Sequence, residues 1–273
     1  MDRAAQKKSL LMGTMEFMEL VYHSVVREVR TQSGNATFGI LKEVGQITMF
    51  MGMFYILFMF MGRSAAIRGD FMMFLITGIL LMLTHIKAIG SVRSAQNATS
   101  AMMQHAPMTV ILSILANAFA GLYLQAVAII LVVTTLWIFG MDTTIDNPPG
   151  LILPVFFSWA SGIGVGMIFM MLSPLAPGFI KIFSQAYMRA QMFTSGKFLP
   201  AAYMPSSMIG FFEWNPLFHT IDQARLATFI NYSKDVTSMK YAIIFTFTTI
   251  IIGLMGELWA RKNLSKSKHG ENR

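Results

Sequence analysis

Residues 196–232 read GKFLPAAYMPSSMIGFFEWNPLFHTIDQARLATFINY, and the architecture of this 273-residue chain depends on them. It is apolar and aromatic enough to lie in lipid, but Pro200, Pro205, Gly210 and Pro216 interrupt it, so no single helix can cross a bilayer here. Interrupted backbone at membrane depth is tolerated only where protein or a water-filled cavity satisfies the freed N–H and C=O groups. The stretch therefore predicts a re-entrant element of a transport protein.

Composition places the chain among membrane proteins. Hydrophobic residues make up 55% of it and charged residues 12%, whereas a soluble domain carries about 25% charged residues. The absence of Cys excludes thiolate chemistry and Cys-based metal sites. Because the five His are scattered along the chain, we predict neither a metal site nor catalytic residues.

Six segments are apolar and long enough to cross a bilayer at about 20 residues per crossing. We therefore predict an all-α polytopic membrane protein that forms a single domain over residues 1–273. Its parts are an interface helix at 16–33, a six-span region at 44–260 with a re-entrant element at 199–232, and a basic tail at 261–273. The predicted crossings are 44–62, 71–90, 108–139, 151–172, 178–198 and 240–260.

The distribution of Lys and Arg between alternate connecting segments predicts the orientation. With the amino terminus in the cytoplasm, the inner segments hold 14 of the 21 Lys and Arg residues. We therefore expect both termini in the cytoplasm and residues 199–232 on the outer side. The net charge of +8 is then mainly a topology signal, and nucleic acid is not expected as a partner.

Two segments on the predicted inner side have two interpretations each. Residues 16–33 carry charged side chains on one helical face and apolar ones on the other, which fits either a gate helix that contacts a cytoplasmic partner or a plain interfacial anchor. Residues 90–107 are small, polar and moderately basic. They fit either a short helix exposed to a partner or a solvated connector.

Polar residues recur at four-residue spacing in two predicted spans. The third span contains Asn117 and Gln125 in such a row, and the fifth contains Lys181, Gln185 and Arg189. A buried Arg in a span is a functional candidate by default, and polar side chains in lipid require partners. We expect these residues, Lys181 excepted, to line a substrate conduit. The alternatives are bonds between helices and, for Arg189, an ion pair with a carboxylate.

Aromatic residues are dense in the predicted spans. Rings that line a conduit could stack on the faces of sugar rings, and the candidates are Tyr55, Phe58, Tyr123 and Tyr187. The alternative for each of them is packing or a place in the interfacial aromatic belt. No G-x-x-x-x-G-K-[ST] pattern occurs, so hydrolysis of ATP by a P-loop is excluded for this chain.

Short motifs in a particular order connect the chain to a known family. They are Arg27-Glu28-Val29-Arg30-Thr31 with Gly34 and Phe38-Gly39, then Thr77-Gly78-Ile79, Leu172-Ser173-Pro174, Ser195-Gly196, and Trp214-Asn215-Pro216-Leu217 with His219 and Arg225. Over about residues 20–262 the chain resembles the ABC-2 type permease subunits that export capsular polysaccharide and O-antigen in Gram-negative bacteria. It departs from their pattern at Gln32-Ser33, at Lys42-Glu43 and at Asp222.

The resemblance implies a homodimer around one conduit in the inner membrane, two docked ATPase subunits and a lipid-linked polysaccharide as substrate. It implies no cofactor in this chain, because the ATPase would bind ATP and Mg. A periplasmic co-polymerase and an outer-membrane export protein are expected as further partners. Outer re-entrant helices would be 200–212 and 215–230, containing Trp214, Asn215, Pro216, His219 and Arg225. ATPase contacts would come from Arg27, Arg30, Arg93, Gln96, Gln104, Ser173 and Pro174.

Two alternatives remain, one within transport and one from a different class of function. The chain could be an ABC-2 permease for a lipid or a drug, or a membrane-embedded acyl- or glycosyl-transferase. A transferase would need an acid and a base near an interface. The nearest such pair is Asp142 and Asp146, and the Asn147-Pro148-Pro149 that follows predicts a loop.

Overall fold

The computed structural model describes residues 2–33, 36–60, 71–102, 110–198, 200–230, 232 and 236–270, and all regular structure within these ranges is helical. Five segments in it are long and apolar enough to cross a membrane, namely Thr37–Leu57, Phe71–Ala95, Val110–Ile138, Pro148–Leu172 and Met239–Trp259. The α-helices are α1 Asp2–Ser33, α2 Ala36–Phe60, α3 Phe71–Met102, α4 Val110–Ile138, α5 Ile152–Leu172, α6 Pro177–Thr194, α7 Ser206–Phe212, α8 Pro216–Thr228 and α9 Met239–Gly270.

The sixth predicted crossing, residues 178–198, corresponds to α6. This helix ends at Thr194 and has 18 residues, which span about 27 Å at 1.5 Å per residue. Its polar row of Lys181, Gln185 and Arg189 makes it less apolar than the five candidate spans. A sixth crossing therefore stays a prediction.

Four helices extend well beyond their predicted segments. The first begins at Asp2 and the second at Ala36, the third continues to Met102 through most of the predicted connector, and the last continues to Gly270 into the predicted tail. Hydropathy marks where a helix leaves the apolar phase, whereas the helix itself continues until a stop signal intervenes. The segment that begins at Gly90 is thus an extension of α3, and residues 103–109 lie outside the described ranges.

Small residues bring α5 against α3 at the centre of the bundle. A Cβ on Gly162 would lie 2.8 Å from the Cβ of Ala88, and the hydroxyl of Ser158 donates to the carbonyl of Leu81 at 2.7 Å. Small side chains allow helices in lipid to approach until backbone and side-chain atoms touch. The four-residue row of small residues in this span therefore serves helix packing within one chain.

Helix α1 is attached to the bundle through its second half. Val29 is buried and packs with Ala120 and Leu124 of α4, and Val25 and Ile40 join this cluster. At positions 13 and 15–31, whose side chains the structure describes, the remaining face of α1 is largely exposed, as the amphipathic pattern predicts. α1 is thus a packed part of the fold, in contact with both α2 and α4.

The interrupted stretch forms an element that we call the cap (residues 195–232), in which residues 205–214 are exposed or half-buried. It contains a 3-10 turn at Ala201–Tyr203, followed by α7 and α8, close to the predicted helices 200–212 and 215–230. Nearly all of α8 is buried, and it packs against α3, α5, α9 and the turn Pro148–Leu151. We call this end of the bundle the cap end, and the opposite end, where α2 starts and α5 stops, the tail end.

Candidate functional site

An open groove of about 290 Å³ lies between α2, α3 and α6. Polar side chains from α2 and α6 face an apolar wall that is rich in Met, so the groove can contact polar groups and apolar surface at the same time. Its lining comprises Gln46 and Phe50 of α2, Met82, Leu83 and Ile86 of α3, and Gln185, Met188, Arg189 and Met192 of α6.

The sequence of α6 explains how its polar residues come to line this groove. Pro177 occupies the first turn, where its missing N–H is not needed. Ile180, Ser184 and Gln191 are buried against the bundle, whereas the row that contains Gln185 is exposed. Because residues four apart share a helical face, the four-residue spacing in the sequence places the polar row toward the groove.

Arg189 lies on this exposed face. In the part of the chain that the structure describes, its guanidinium has no carboxylate within ion-pair distance. The alternative interpretation of Arg189, an ion pair with a carboxylate such as Asp222 or Glu257, is therefore not seen in the described part of the chain, and the carboxylate of Asp222 accepts hydrogen bonds from Tyr232 and Thr237. A guanidinium that is accessible from a groove can bind an anionic or hydroxyl-bearing group of a ligand.

The other candidates for conduit lining lie elsewhere. Asn117 and Gln125 are 3% and 1% exposed, which corrects the expectation that both face an open path. Asn117 donates to the carbonyl of Ser113 at 3.0 Å, and Gln125 accepts from Lys87 at 2.7 Å. Spacing showed that they share a face of α4, and only packing showed that this face meets α3. The structure thus favours the alternative, bonds within the bundle.

The aromatic candidates do not line the groove either. Tyr55 is 43% exposed and its ring lies 6.3 Å from that of Phe71, while Tyr123 is 52% exposed on α4. Tyr187 packs on Phe169 with ring centroids 5.7 Å apart. The side chain of Phe58 lies outside the described part. The aromatic groove residue is Phe50, which lies on the same helix as Tyr55 but was not among the candidates.

An ion pair joins three helices next to the groove, toward the tail end. The ammonium of Lys87 on α3 contacts the carboxylate of Glu43 on α2 and donates to Gln125 Oε1 on α4 at 2.7 Å. Both charged side chains are less than one-fifth exposed. Sequence reasoning treated Lys87 only as an orientation signal. The unusual Lys42-Glu43 pair at the start of a span was the signal that could have indicated a partner.

A polar cavity of about 310 Å³ borders this ion pair. It lies where α1, α2, α3 and α4 meet. Its lining comprises Glu28, Gly39, Lys42, Glu43, Gly90, Ser91, Ser94 and Leu124. The cavity connects the amphipathic helix α1 to the charged interior, so movement of α1 would change the surroundings of the Lys87–Glu43 pair.

The residues expected to contact an ATPase lie at the tail end. Arg27 and Arg30 are exposed on α1, and Pro174 is exposed in the turn after α5. The hydroxyl of Ser173 donates to the carbonyl of Phe169 at 2.7 Å, which terminates α5. Arg93 is partly buried near the end of α3. The side chain of Gln96 and the whole of Gln104 lie outside the described part.

Arg225 holds the interrupted backbone of the cap in place. It is 1% exposed, and its guanidinium donates to the carbonyl of Gly196 at 3.1 Å and to the carbonyl of Lys197. The same guanidinium lies 3.9 Å from the centroid of the Phe74 ring. The charged guanidinium therefore satisfies two carbonyls that have no partner within a helix, because the helix is interrupted here. Irregular backbone among apolar spans requires such partners.

Asn215 connects the cap to α6. Its Oδ1 accepts from the N–H of Leu217 at 3.0 Å and caps α8, with Pro216 in the first turn. Its Nδ2 donates to Gln191 Oε1 at 2.5 Å and to Thr194 Oγ1 at 2.9 Å. Asn215 thus bonds the end of α6, the helix that lines the groove, to the start of α8.

His219 and Trp214 complete the cap motif. The Nε2 of His219 lies 2.7 Å from the carbonyl of Glu213, and its Nδ1 accepts from the N–H of Ser238 at 3.2 Å. Burial lowers the pKa of His219, so the neutral ring that these bonds require prevails at neutral pH. Trp214 is 47% exposed, and its carbonyl accepts from the hydroxyl of Tyr241 at 2.6 Å. His219 and Trp214 therefore connect the cap to the start of α9.

Comparison with known proteins agrees with this architecture. Residues 19–229 match the family model described as ABC-2 type transporter. Two Escherichia coli proteins, each named polysialic acid transport protein KpsM, are similar to the chain. One is 25% identical over 234 residues, and the other is 26% identical over 237 residues; each alignment covers 84% of this chain and 88% of the relative.

Proposed function

The chain belongs to the ABC-2 type transporter family, and from that premise we propose that it is the permease subunit of an exporter that moves a polysaccharide across a bacterial inner membrane. The observation that carries the proposal is the open groove beside α6, whose polar row faces outward from an otherwise apolar bundle. The substrate class follows the name of the Escherichia coli relatives, which transport polysialic acid.

A second copy of the chain would complete the conduit. The groove is open to the outside of the bundle, and α2 and α6, which both line it, each have an exposed face. Apolar residues on these faces include Phe183 and Met49, at 53% and 66% exposed. Two copies that meet along α2 and α6 would cover this surface and enclose the two grooves in one path.

Energy would come from separate ATPase subunits. The sequence contains no P-loop, so this chain would transmit conformational change and would not hydrolyse ATP itself. The exposed Arg27, Arg30 and Pro174 at the tail end, with Arg93 beside them, would form the docking surface. α1 would act as the gate helix, because it joins this surface to the polar cavity beside the Lys87–Glu43 pair.

The orientation follows from the charge distribution. The tail end, with both termini, would face the cytoplasm, and the cap would face the periplasm as a re-entrant element. In this arrangement α6 would make a short sixth crossing that reaches the cap through Asn215. A lipid-linked glycan would pass from the groove to the cap, where a periplasmic co-polymerase and an outer-membrane export protein would receive it.

Deletion and complementation in the native bacterium test this function. We expect deletion of the gene to abolish surface polysaccharide and to leave lipid-linked glycan on the cytoplasmic side, measured by glycan staining of intact and permeabilised cells. A plasmid copy should restore export only when the partner ATPase is active. Normal surface glycan in the deletion strain, with a lipid or a drug retained instead, would contradict the polysaccharide assignment.

A further inference from the structure

Lys197 has unusual surroundings for a charged residue. It follows Gly196, which has φ +68°, and it is only 1% exposed. Its ammonium lies 4.6 Å from the ring centroid of Phe198 and 5.0 Å from that of Phe54, and it donates to Met82 Sδ at 3.0 Å. Among the described residues no carboxylate lies within ion-pair distance of it.

This environment only partly compensates the charge. A buried ammonium is costly unless it is paired and hydrogen-bonded. Each favourable aromatic face returns about 0.5–2 kcal/mol, and a thioether is a weak acceptor. The site therefore lacks the one group that would stabilise it most, an anion. No motif in the sequence explains why a Lys occupies this position.

The ammonium lies directly behind the wall of the groove. Met82 and Phe50 both line the groove, and both contact Lys197, at 3.0 Å to the sulfur of Met82 and 5.8 Å to the ring centroid of Phe50. One layer of side chains separates the cation from the path. Met82 has three rotatable side-chain bonds, so a rotamer change of this single side chain is the movement that would open the layer. Arg189 faces the same groove from α6.

We propose that Lys197 is a specificity-determining residue for acidic glycans, and that it binds a carboxylate of the passing chain when the side chain of Met82 moves aside. Along the path, Arg189 is then the first cation that the glycan meets and is exposed. Lys197 is the second, which is buried and lies nearer the cap. The inference rests on the proposed function and names its substrate class as a polysaccharide that carries carboxylates. A phosphate of the lipid carrier is the other anion that could reach the ammonium, and the experiment distinguishes the two.

The test uses the permease with its ATPase in proteoliposomes. The probes are a lipid-linked sialic acid polymer and the same polymer with its carboxylates reduced to hydroxymethyl groups, both on one carrier. The readout is the glycan concentration that gives half-maximal stimulation of ATP hydrolysis. We expect Lys197→Met to raise that concentration about tenfold for the acidic polymer, as loss of one charge pair predicts, and to leave the value for the reduced polymer unchanged.

Matched variants control for charge and packing. Lys240→Met removes an exposed Lys at the cap end and should change neither value, whereas Lys197→Arg should retain most of the discrimination. Should Lys197→Met fail to fold, Met82→Ala carries the test, because it removes the layer in front of the ammonium. It should lower the half-maximal concentration for the acidic polymer alone, and Met82→Leu should not.

The outcomes are distinguishable. Equal losses for both polymers in Lys197→Met would assign the residue to packing or to the carrier phosphate and would overturn the inference, as would no loss at all. A wild-type complex that responds to both polymers alike would also overturn it, while the proposed function would stand. A wild-type complex that responds to neither polymer would overturn the inference, whereas deletion and complementation would still decide the proposed function.

Discussion

The backbone of Gly78 lies directly against the guanidinium of Arg225. A Cβ placed on residue 78 would lie 3.0 Å from Arg225 Nη2 and 2.8 Å from the Cβ of Lys197. Both neighbours are 1% exposed, and the atoms of Lys197 that the added Cβ would meet are its own Cβ and backbone carbonyl, so neither neighbour has room to retreat. The Thr77-Gly78 motif within this span therefore has a structural reason. The cap packs directly against the backbone of α3, at a position where any side chain would be in the way.

Gly78→Ala should consequently loosen the cap. We expect a lower thermal unfolding midpoint in detergent, since overpacking of a tight contact costs about 1–3 kcal/mol. The control is Gly52→Ala on α2, where a Cβ would meet nothing within 4 Å and helix propensity predicts a neutral or slightly stabilising change. Equal midpoints for the two variants would contradict the tight contact.

Replacing one member of the Lys87–Glu43 pair should destabilise the bundle more than replacing both. Lys87→Met leaves a carboxylate mostly buried without its cation, which costs about 3–5 kcal/mol. The double variant Lys87→Met with Glu43→Gln should recover most of that loss, because no charge is left unpaired. The measurement is the free energy of unfolding in a double-mutant cycle. A double variant as unstable as the single one would show that the pair is not coupled.

Asn215 has two separable roles. Asn215→Ser keeps a capping oxygen for α8 but cannot reach Gln191 and Thr194, whereas Asn215→Ala loses both functions. Hydrogen exchange should show faster exchange in the last turn of α6 for Asn215→Ser and, in addition, in the first turn of α8 for Asn215→Ala. The second change corresponds to about 1 kcal/mol of lost capping. Protection of α6 in both variants would remove Asn215 as the link between cap and groove.

Arg189 should matter for transport and not for stability. Its guanidinium is exposed and has no ion-pair partner among the described residues, so Arg189→Gln should leave the free energy of unfolding within about 0.5 kcal/mol of wild type. Surface polysaccharide should nevertheless fall several-fold at equal protein level. Lys181→Gln, two helical steps away on the same face, is the matched control and should export nearly normally. Normal export by Arg189→Gln would exclude the residue from the path.

His219 predicts a pH dependence of cap stability. Burial lowers its pKa from 6.5, so the unfolded chain takes up a proton at a higher pH than the folded one. Stability from this group is therefore complete above about pH 7 and decreases as the pH falls below 6.5. The unfolding midpoint of wild type should decrease between pH 7.5 and 5, and that of His219→Gln should decrease less. Parallel curves for the two would contradict this role.

The groove shows how much of the candidate site the spacing of polar residues could predict. The four-residue spacing on α6 predicted Gln185 and Arg189 correctly as a shared face, and the structure places both in the groove. The same spacing on α4 predicted Asn117 and Gln125 equally well as a face, but that face packs against α3. Spacing determines which side chains point the same way, and it contains no information on what lies opposite them.

The amino-acid sequence alone was enough to establish the class of the protein. Apolar length sets how many helices can enter lipid, charge asymmetry sets their expected orientation, and the prolines of residues 196–232 forbid a continuous helix there, because all three are local properties of the chain. Only the tertiary structure decided that Arg225 satisfies the carbonyls of that interruption, that Lys87 meets Glu43, and that Lys197 lies unpaired behind Met82. These contacts join residues tens of positions apart, and they exist only once the helices have packed.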